Sequence, residues 1–206
     1  MKLKKVLKPN YIKTDFGVLN MVPLQSEIIH SNEIEVGIYK IYPSVNYPKY
    51  STKNSACFDV SAFIGEEINF VEVFTSTLLS IQRPIRKIPE KEWKRGINLE
   101  PGESAFIPTG IIFDIPEGYK ILFYPRSGLA GKFHLKLSNC VGVIDSDYIN
   151  ETMILLKNDS NCRQTIADGE RLMQGEIVPI LQTKFYNCEK PLKKSNRNGG
   201  MGSTGI

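Results

Sequence analysis

Histidine is nearly absent from the chain: His30 and His134 are its two, 104 positions apart. That scarcity excludes multi-histidine metal centres and disfavours a Ser-His-Asp triad. Cysteine is sparse too. Cys57, Cys140, Cys162 and Cys188 contain no Cys-x-x-Cys spacing, so neither a zinc ribbon nor a thioredoxin-type pair is expected. They read as buried free thiols of a reducing, cytoplasmic compartment. No apolar run approaches the roughly 18 residues needed to cross a membrane. The basic start MKLKKVLKPNY is followed by no long apolar segment, so no secretory signal is expected. There is no internal repeat and no low-complexity tract. Neither sign of charge dominates: 26 Lys and Arg against 22 Asp and Glu leave +4. That balance suits an anionic ligand and gives no ground for a stable nucleic-acid partner. Any hydrolysis must then rest on carboxylates, arginine, backbone amides and a hard metal.

What is present is alternation. The 206 residues, 41% hydrophobic, favour one domain with appendages. In SACFDVSAFI, Ala56, Phe58, Val60 and Ala62 share one parity, and Cys57, Asp59, Ser61 and Phe63 the other. This is the pattern of a half-buried strand that offers Asp59 to its polar face. Residues 34–43, 103–108, 110–116, 119–125, 151–158, 162–167 and 175–186 read similarly. Pro-Gly, Thr-Gly, Glu-Gly and Asp-Gly turns separate them. Many short strands at such spacing predict an all-β sandwich or barrel.

Three regions stand apart. Residues 1–33 form a lysine-rich N-terminal extension. Residues 66–97 hold the one tryptophan, Trp93, and interrupt the pattern for too long to be an ordinary loop. They read as an insertion, either a surface excursion or a segment that binds a protein partner or covers a site. The domain itself is then 34–190. The glycine-rich tail 191–206 lacks the Gly-Lys-Ser/Thr ending of a P-loop, but its amides and hydroxyls can wrap phosphates.

Five stretches occur in one order: SACFDVSA (55–62), PRSGLA (125–130), NCVGVIDSDY (139–148), GERLMQ (169–174) and GGMGSTG (199–205). Together they resemble the five motifs of the trimeric deoxyuridine triphosphatase family. The link PGESAFIPTGIIFDIPEGY resembles the family as well. The resemblance covers about two-thirds of the chain and leaves out 1–33 and 66–97. It implies a distorted jelly-roll β-sandwich. It also implies a homotrimer whose copies share each active site, with the tail closing over it. The expected reaction is dUTP to dUMP and pyrophosphate, with Mg²⁺.

Asp145 and Asp147 have the same parity in a regular strand, so spacing does not separate them. The resemblance points to Asp145 as the group that orients and deprotonates the water. It makes Asp59 a partner of Mg²⁺ through water. Arg126, Ser127, Gly128 and Gln174 are expected at the phosphates, where arginine offers a fork and Ser127 and Gly128 offer donors. Asn139 and the backbone of Gly142, Val143 and Ile144 are expected to read the uracil edge. Tyr148 would lie under the deoxyribose, where a ribose 2′-hydroxyl clashes, and Met153 completes this part of the site. From the tail, Arg197, Met201, Gly202, Ser203 and Thr204 are carried over. Arg171 reads instead as a tie between subunits.

The chain departs from the family pattern at four places. Cys57 and Asn150 stand where the family has Gly, Asn196-Arg197 where it has Arg-Gly, and Met201 where it has a stacking Phe. Met201 can cover a base but gives no aromatic stack. Two alternatives accompany the hydrolase reading. One is a dCTP deaminase relative, for which Glu151 is the nearby acid. The other is a nucleotide-binding regulator that acts through a protein partner on 66–97.

Overall fold

A computed structural model describes residues 33–190, with the strand backbone at 13–14 and 17–18. The chain divides into two compact units, the first ending at Val36 and the second beginning at Gly37. In the first unit β1 (Lys13–Thr14) pairs with β2 (Gly17–Val18). The second unit opens with β3 (Gly37–Lys40), β4 (Lys49–Tyr50) and β5 (Phe58–Ser61). Next come β6 (Phe70–Phe74), β7 (Ser80–Pro84), β8 (Arg86–Ile88) and, after a 3-10 turn at Pro89–Lys91, β9 (Lys94–Leu99). β10 (Ser104–Pro108), β11 (Ile111–Asp114) and β12 (Tyr119–Pro125) precede the short helix α1 (Ser127–Phe133), about two turns long. β13 (Leu135–Leu137), β14 (Gly142–Ile144), β15 (Met153–Asn158), β16 (Gln164–Ala167) and β17 (Arg171–Pro179) complete it.

Two five-stranded sheets carry the fold, ordered β13-β15-β10-β6-β7 and β14-β12-β17-β5-β4. β12 and β17 of the second lie against β13 and β15 of the first. Smaller sheets β16-β9-β8 and β11-β3 flank them, and no sheet of the described residues closes into a barrel. The fold is the all-β jelly-roll sandwich expected. Alternation builds the core: Ala105 and Ile107 of β10 and Ile154 and Leu156 of β15 are buried, while Ser104, Phe106, Met153, Leu155 and Lys157 between them are more exposed. Gly175 shows how closely the second sheet packs. A Cβ there would sit 2.6 Å from the Phe123 ring and 2.8 Å from that of Phe58. The bare backbone lets these rings, on the strands either side, meet edge to face at 6.2 Å.

Three expectations change. Residues 66–97 are built into the fold rather than laid over it as a surface excursion. Alternating Val71 and Val73 let β6 extend the first sheet beyond β10, and Ile88 and Ile97 are buried as well. The last strand runs 171–179 instead of 175–186. It stops at Pro179, which has no N–H to continue the ladder. The cysteines are not all buried: Cys140, Cys162 and Cys188 are exposed, in a turn, in a bend and beyond the last strand, and Cys57 is half-buried.

Arg83 anchors the β6–β7 hairpin. Its guanidinium grips the buried Glu103 with both nitrogens, Nη2 donating to Oε1 at 2.8 Å, and Nη1 also donates to the Asn98 carbonyl at 2.7 Å. The Arg83 hydrogen bonds hold the Glu103 carboxyl below the usual carboxylate range. The Glu100 amide and the arginine charge assist, against burial. A depressed carboxyl pKa stabilises the fold fully above the unfolded value of about 4.3, and that contribution is lost as pH falls through the folded value. Urea unfolding from pH 7 to pH 3 is therefore expected to show stability dropping below about pH 4, with a flatter profile in Glu103→Gln. At pH 7, Arg83→Ala should cost about 2 kcal/mol. That is less than for a fully buried pair, because the Arg83 side chain is 21% exposed.

Candidate functional site

The second sheet places one row of residues on its outer face. In register, Tyr124 of β12 lies opposite Gln174 of β17, and Gln174 lies opposite Asp59 of β5. Cross-strand partners share a face, so the three side chains line up. Asp59 is 8% exposed. A carboxylate removed from water to that degree requires opposite charge and hydrogen bonds. Arg126 supplies Nε to Oδ1 at 2.8 Å, Arg171 supplies Nη1 to Oδ2 at 2.9 Å, and the Ser51 hydroxyl donates to Oδ2 at 2.8 Å.

Arg171 reaches this face through a β-bulge. Arg171 opposes Ser61 and Met173 opposes Val60, so Leu172 is the extra residue. In a regular strand Arg171 and Met173 share a face. The bulge turns Leu172 and Met173 together into the core, where both are buried, and sends Arg171 out beside Gln174. Arg171 thus joins the site at Asp59. A simple alternation of GERLMQ would put it on the opposite face from Gln174.

Beyond β12 the chain turns into α1. Arg126 is its N-cap residue, and Ser127 and Gly128 open the first turn. The first amides of a helix have no partner within it and point away from its start. The Gln174 side-chain amide donates to the Pro125 carbonyl at 3.1 Å and ties this corner to β17. Cys57, Asp59, Arg126, Ser127, Gly128 and Gln174 together line a cleft of about 550 Å³. Lys132 also lines it, a cation that the sequence reading did not single out.

The third motif lies elsewhere. β14 forms the far edge of the same sheet, pairing with β12 from Gly142↔Phe123 to Ile144↔Ile121. Asp145 follows and begins a turn in which the Tyr148 amide donates to the Asp145 carbonyl at 3.1 Å. Continuing that register sets Asp145 beside Lys120, at the opposite end of β12 from Arg126. Six residues of strand span about 20 Å. One copy of the chain therefore brings together Asp59, Arg126, Ser127, Gly128 and Gln174. It holds Asp145 and Tyr148 apart from them, while Gly142, paired with Phe123, lies three residues along β12 from Arg126, with Asn139 on the same side and Val143 and Ile144 in between. Met153 opens β15, opposite Pro108. Arg197, Met201, Gly202, Ser203 and Thr204 lie outside the described residues.

The two carboxylates differ sharply. Asp145 is exposed, and its side chain makes no hydrogen bond or ion pair with any described residue. It does not cap the turn it begins. Asp147 is exposed in the same turn. Tyr148 is 38% exposed, and its hydroxyl donates to the Glu151 carbonyl at 3.1 Å. The Glu151 carboxylate accepts the Gly110 amide at 2.6 Å, so it is committed to the backbone.

The family model for dUTPase matches residues 93–205. A deoxyuridine 5'-triphosphate nucleotidohydrolase of Neisseria meningitidis is 35% identical over 160 residues, covering 77% of this chain and 87% of that protein. The chain belongs to the dUTPase family. Solved dUTPases share its fold. A mutant Staphylococcus bacteriophage 80alpha dUTPase with dUpNHpp superposes with a TM-score of 0.59 at 23% identity, over 84% of this chain and 99% of that one. A mutant dUTPase from phage phi11 of S. aureus, described with a structural Mg(II) ion, gives 0.55 at 22% identity, over 76% and 98%. The dUTPase family match begins at residue 93, so β6, β7, β8 and the 3-10 turn lie before it.

Cys57, where the dUTPase pattern has Gly, reports on this cleft. Burial pushes its thiol up, and the nearby charges of Glu176 and Asp59 push it further. Only the thiolate alkylates readily. In a timed iodoacetamide reaction at pH 7.5 followed by peptide mass spectrometry, Cys57 is expected to label more slowly than the exposed Cys140, Cys162 and Cys188.

Proposed function

We propose that the protein hydrolyses dUTP to dUMP and pyrophosphate, with Asp145 as the base that activates water. The observation that carries this reading is the contrast between the carboxylates. Asp59 is held by two guanidinium groups and a hydroxyl, whereas Asp145 is exposed and unpaired among the described residues. An unengaged carboxylate can orient a water and accept its proton. The water oxygen attacks the α-phosphorus, the bond from that phosphorus to the bridging oxygen breaks, and pyrophosphate leaves. Such a reaction depends mainly on positioning and on neutralising charge. Arg126, the first-turn donors of α1 and Gln174 supply both at the phosphates. The polar edge of Asn139 and the strand backbone of Gly142–Ile144 would read uracil, with Met153 close by. Tyr148 would support the deoxyribose. Arg197, Met201, Gly202, Ser203 and Thr204 would close over the nucleotide.

Mg²⁺ fits this donor set as a companion of the triphosphate. Among the described residues no three His, Cys, Asp or Glu gather to hold an ion. A carboxylate offers about four acceptor directions, and three at Asp59 are taken. The direction left on Oδ1 suits a water of the ion's hydration shell, since Mg²⁺ keeps several waters when it binds phosphates. When bound, the ion would neutralise phosphate charge.

A complete site requires more than one copy. The separation along β12 supports the homotrimer, in which Asp145 of one copy meets the Arg126 cleft of another and the tail comes from the third. The bond between Glu151 and Gly110 speaks against the deaminase alternative. The β6–β7 tip favours a second role for 66–97 as a docking point for a protein partner, since Leu78 is 85% and Leu79 64% exposed. No helix of the described residues is long and apolar enough to cross a membrane. The four free cysteines support a reducing, cytoplasmic setting.

Pyrophosphate release with Mg²⁺ is expected from dUTP, with dTTP, dCTP and UTP turned over far more slowly. Asp145→Asn should lower kcat by about 10³-fold or more. Refolding Asp145→Asn together with Arg126→Ala, each inactive alone, should recover part of the activity, because mixed assemblies contain sites with both residues intact. An active Asp145→Asn protein would sink the base assignment, and failure to complement would sink the shared site.

A further inference from the structure

We infer that Lys91, which lies before the family match, is a positioning residue of the phosphate cleft. The inference rests on the dUTPase reading and adds a residue to that site. Lys91 ends the 3-10 turn Pro89–Lys91. The two residues after it, Glu92 and Trp93, have φ of 56° and 60°. Left-handed backbone at two successive non-glycine residues is costly and persists only where the surroundings enforce it. Here the Trp93 amide closes the turn onto the Ile88 carbonyl at 3.0 Å, and Ile88 is buried.

The turn delivers the Lys91 ammonium to Glu170, Nζ to Oε1 at 2.5 Å. Glu170 is fixed in turn: its other carboxylate oxygen accepts the Ala167 amide at 3.2 Å, and its carbonyl accepts the Ala62 amide at 2.8 Å. The next residue is Arg171, aimed by the bulge at Asp59. Arg126 spans the same group, with Nε on Asp59 and Nη1 on the Arg171 carbonyl at 3.1 Å. Lys91, Glu170, Arg171 and Arg126 line one cavity of about 480 Å³, and Arg126 also lines the phosphate cleft.

The charges determine what Lys91 does. Asp59 neutralises one of its two arginines and leaves a net positive charge for phosphate. Glu170 would cancel that surplus, and Lys91 prevents it by pairing with Glu170. Without Lys91, a bare carboxylate shares the cavity with Arg171. The Arg171 side chain is 53% exposed, so it has room to leave Asp59 for the rival. The cleft then loses both potential and a fixed arrangement of its arginines. Lys91 touches no reacting atom, so it acts on substrate binding.

The test compares full-length wild type, Lys91→Ala, Lys91→Arg and the double variant Lys91→Ala/Glu170→Gln. KM and kcat for dUTP are measured at low and high salt, together with thermal midpoints. Lys91→Ala is expected to raise KM about five-fold, the scale of a part-exposed ion pair, with kcat within about two-fold. Lys91→Arg restores KM. The double variant restores it too, because the rival carboxylate is gone. The difference between Lys91→Ala and wild type shrinks at high salt, as screening requires. A purely structural role predicts the reverse: a lowered thermal midpoint, no rescue by Glu170→Gln and no salt dependence. An unchanged KM in Lys91→Ala, or a raised KM that Glu170→Gln fails to rescue, overturns the inference. If wild type cleaves no dUTP, the dUTPase reading fails by itself. Calorimetry with inorganic pyrophosphate then decides on Lys91, and equal affinity in wild type and Lys91→Ala rejects it.

Discussion

The buried charge of Asp59 is the constraint on which the rest of the site depends. A carboxylate taken out of water without compensation costs several kcal/mol. This chain compensates with two arginines that come from distant parts of the sequence. Each arrives by a local departure from regular structure. Arg126 stands where β12 gives way to α1, and Arg171 stands at the bulge that opens β17. The bulge interrupts the ladder locally, yet it also seals the core with two adjacent side chains, Leu172 and Met173. Packing and function are met by the same irregularity.

Much of this architecture was legible from alternation. β10, β12 and β15 fall within a few residues of their expected places because one face of each is buried and the other is wet. The motif order pointed to the residues around the cleft. What stayed hidden has physical causes. A bulge leaves no mark in a hydrophobic pattern, so the face that Arg171 takes was not legible. Helix α1 is too short for a 3.6-residue period, and its Gly128 and Gly131 lower helix propensity. The 66–97 stretch read as an insertion because it interrupts the even spacing of the short strands, and that pattern does not show which sheet edge its own strands extend. The gap between Asp145 and Arg126 depends on strand register, which a sequence does not print.

The Arg126 and Asp145 ends of the proposed site are held apart by a stiff element. β12 pairs with β14 on one side and β17 on the other, and Phe123 packs against Phe58 and Phe113 beneath it. Both ends of such a strand are fixed relative to each other. A site that needs both ends together cannot be made by bending it. In the proposed homotrimer a second copy would offer the complementary end without strain. The Arg83–Glu103 grip does similar work in the other sheet, where it fastens an added hairpin without crossing the cleft.

The edges of the two sheets are not equivalent. In the sheet that bears the site, β14 fills one edge with the third motif, so another strand there would cover what the chemistry needs. The other sheet ends at β7, whose turn at Thr75–Leu79 is closed by its own hydrogen bonds, including one from the Leu79 amide to the Thr75 hydroxyl oxygen. New sequence can be spliced into that turn without altering any strand that shapes the cleft. That turn is therefore a place where the fold can lengthen, for a tag, a sensor module or an evolved appendage, because neither of its strands belongs to the sheet that carries the cleft.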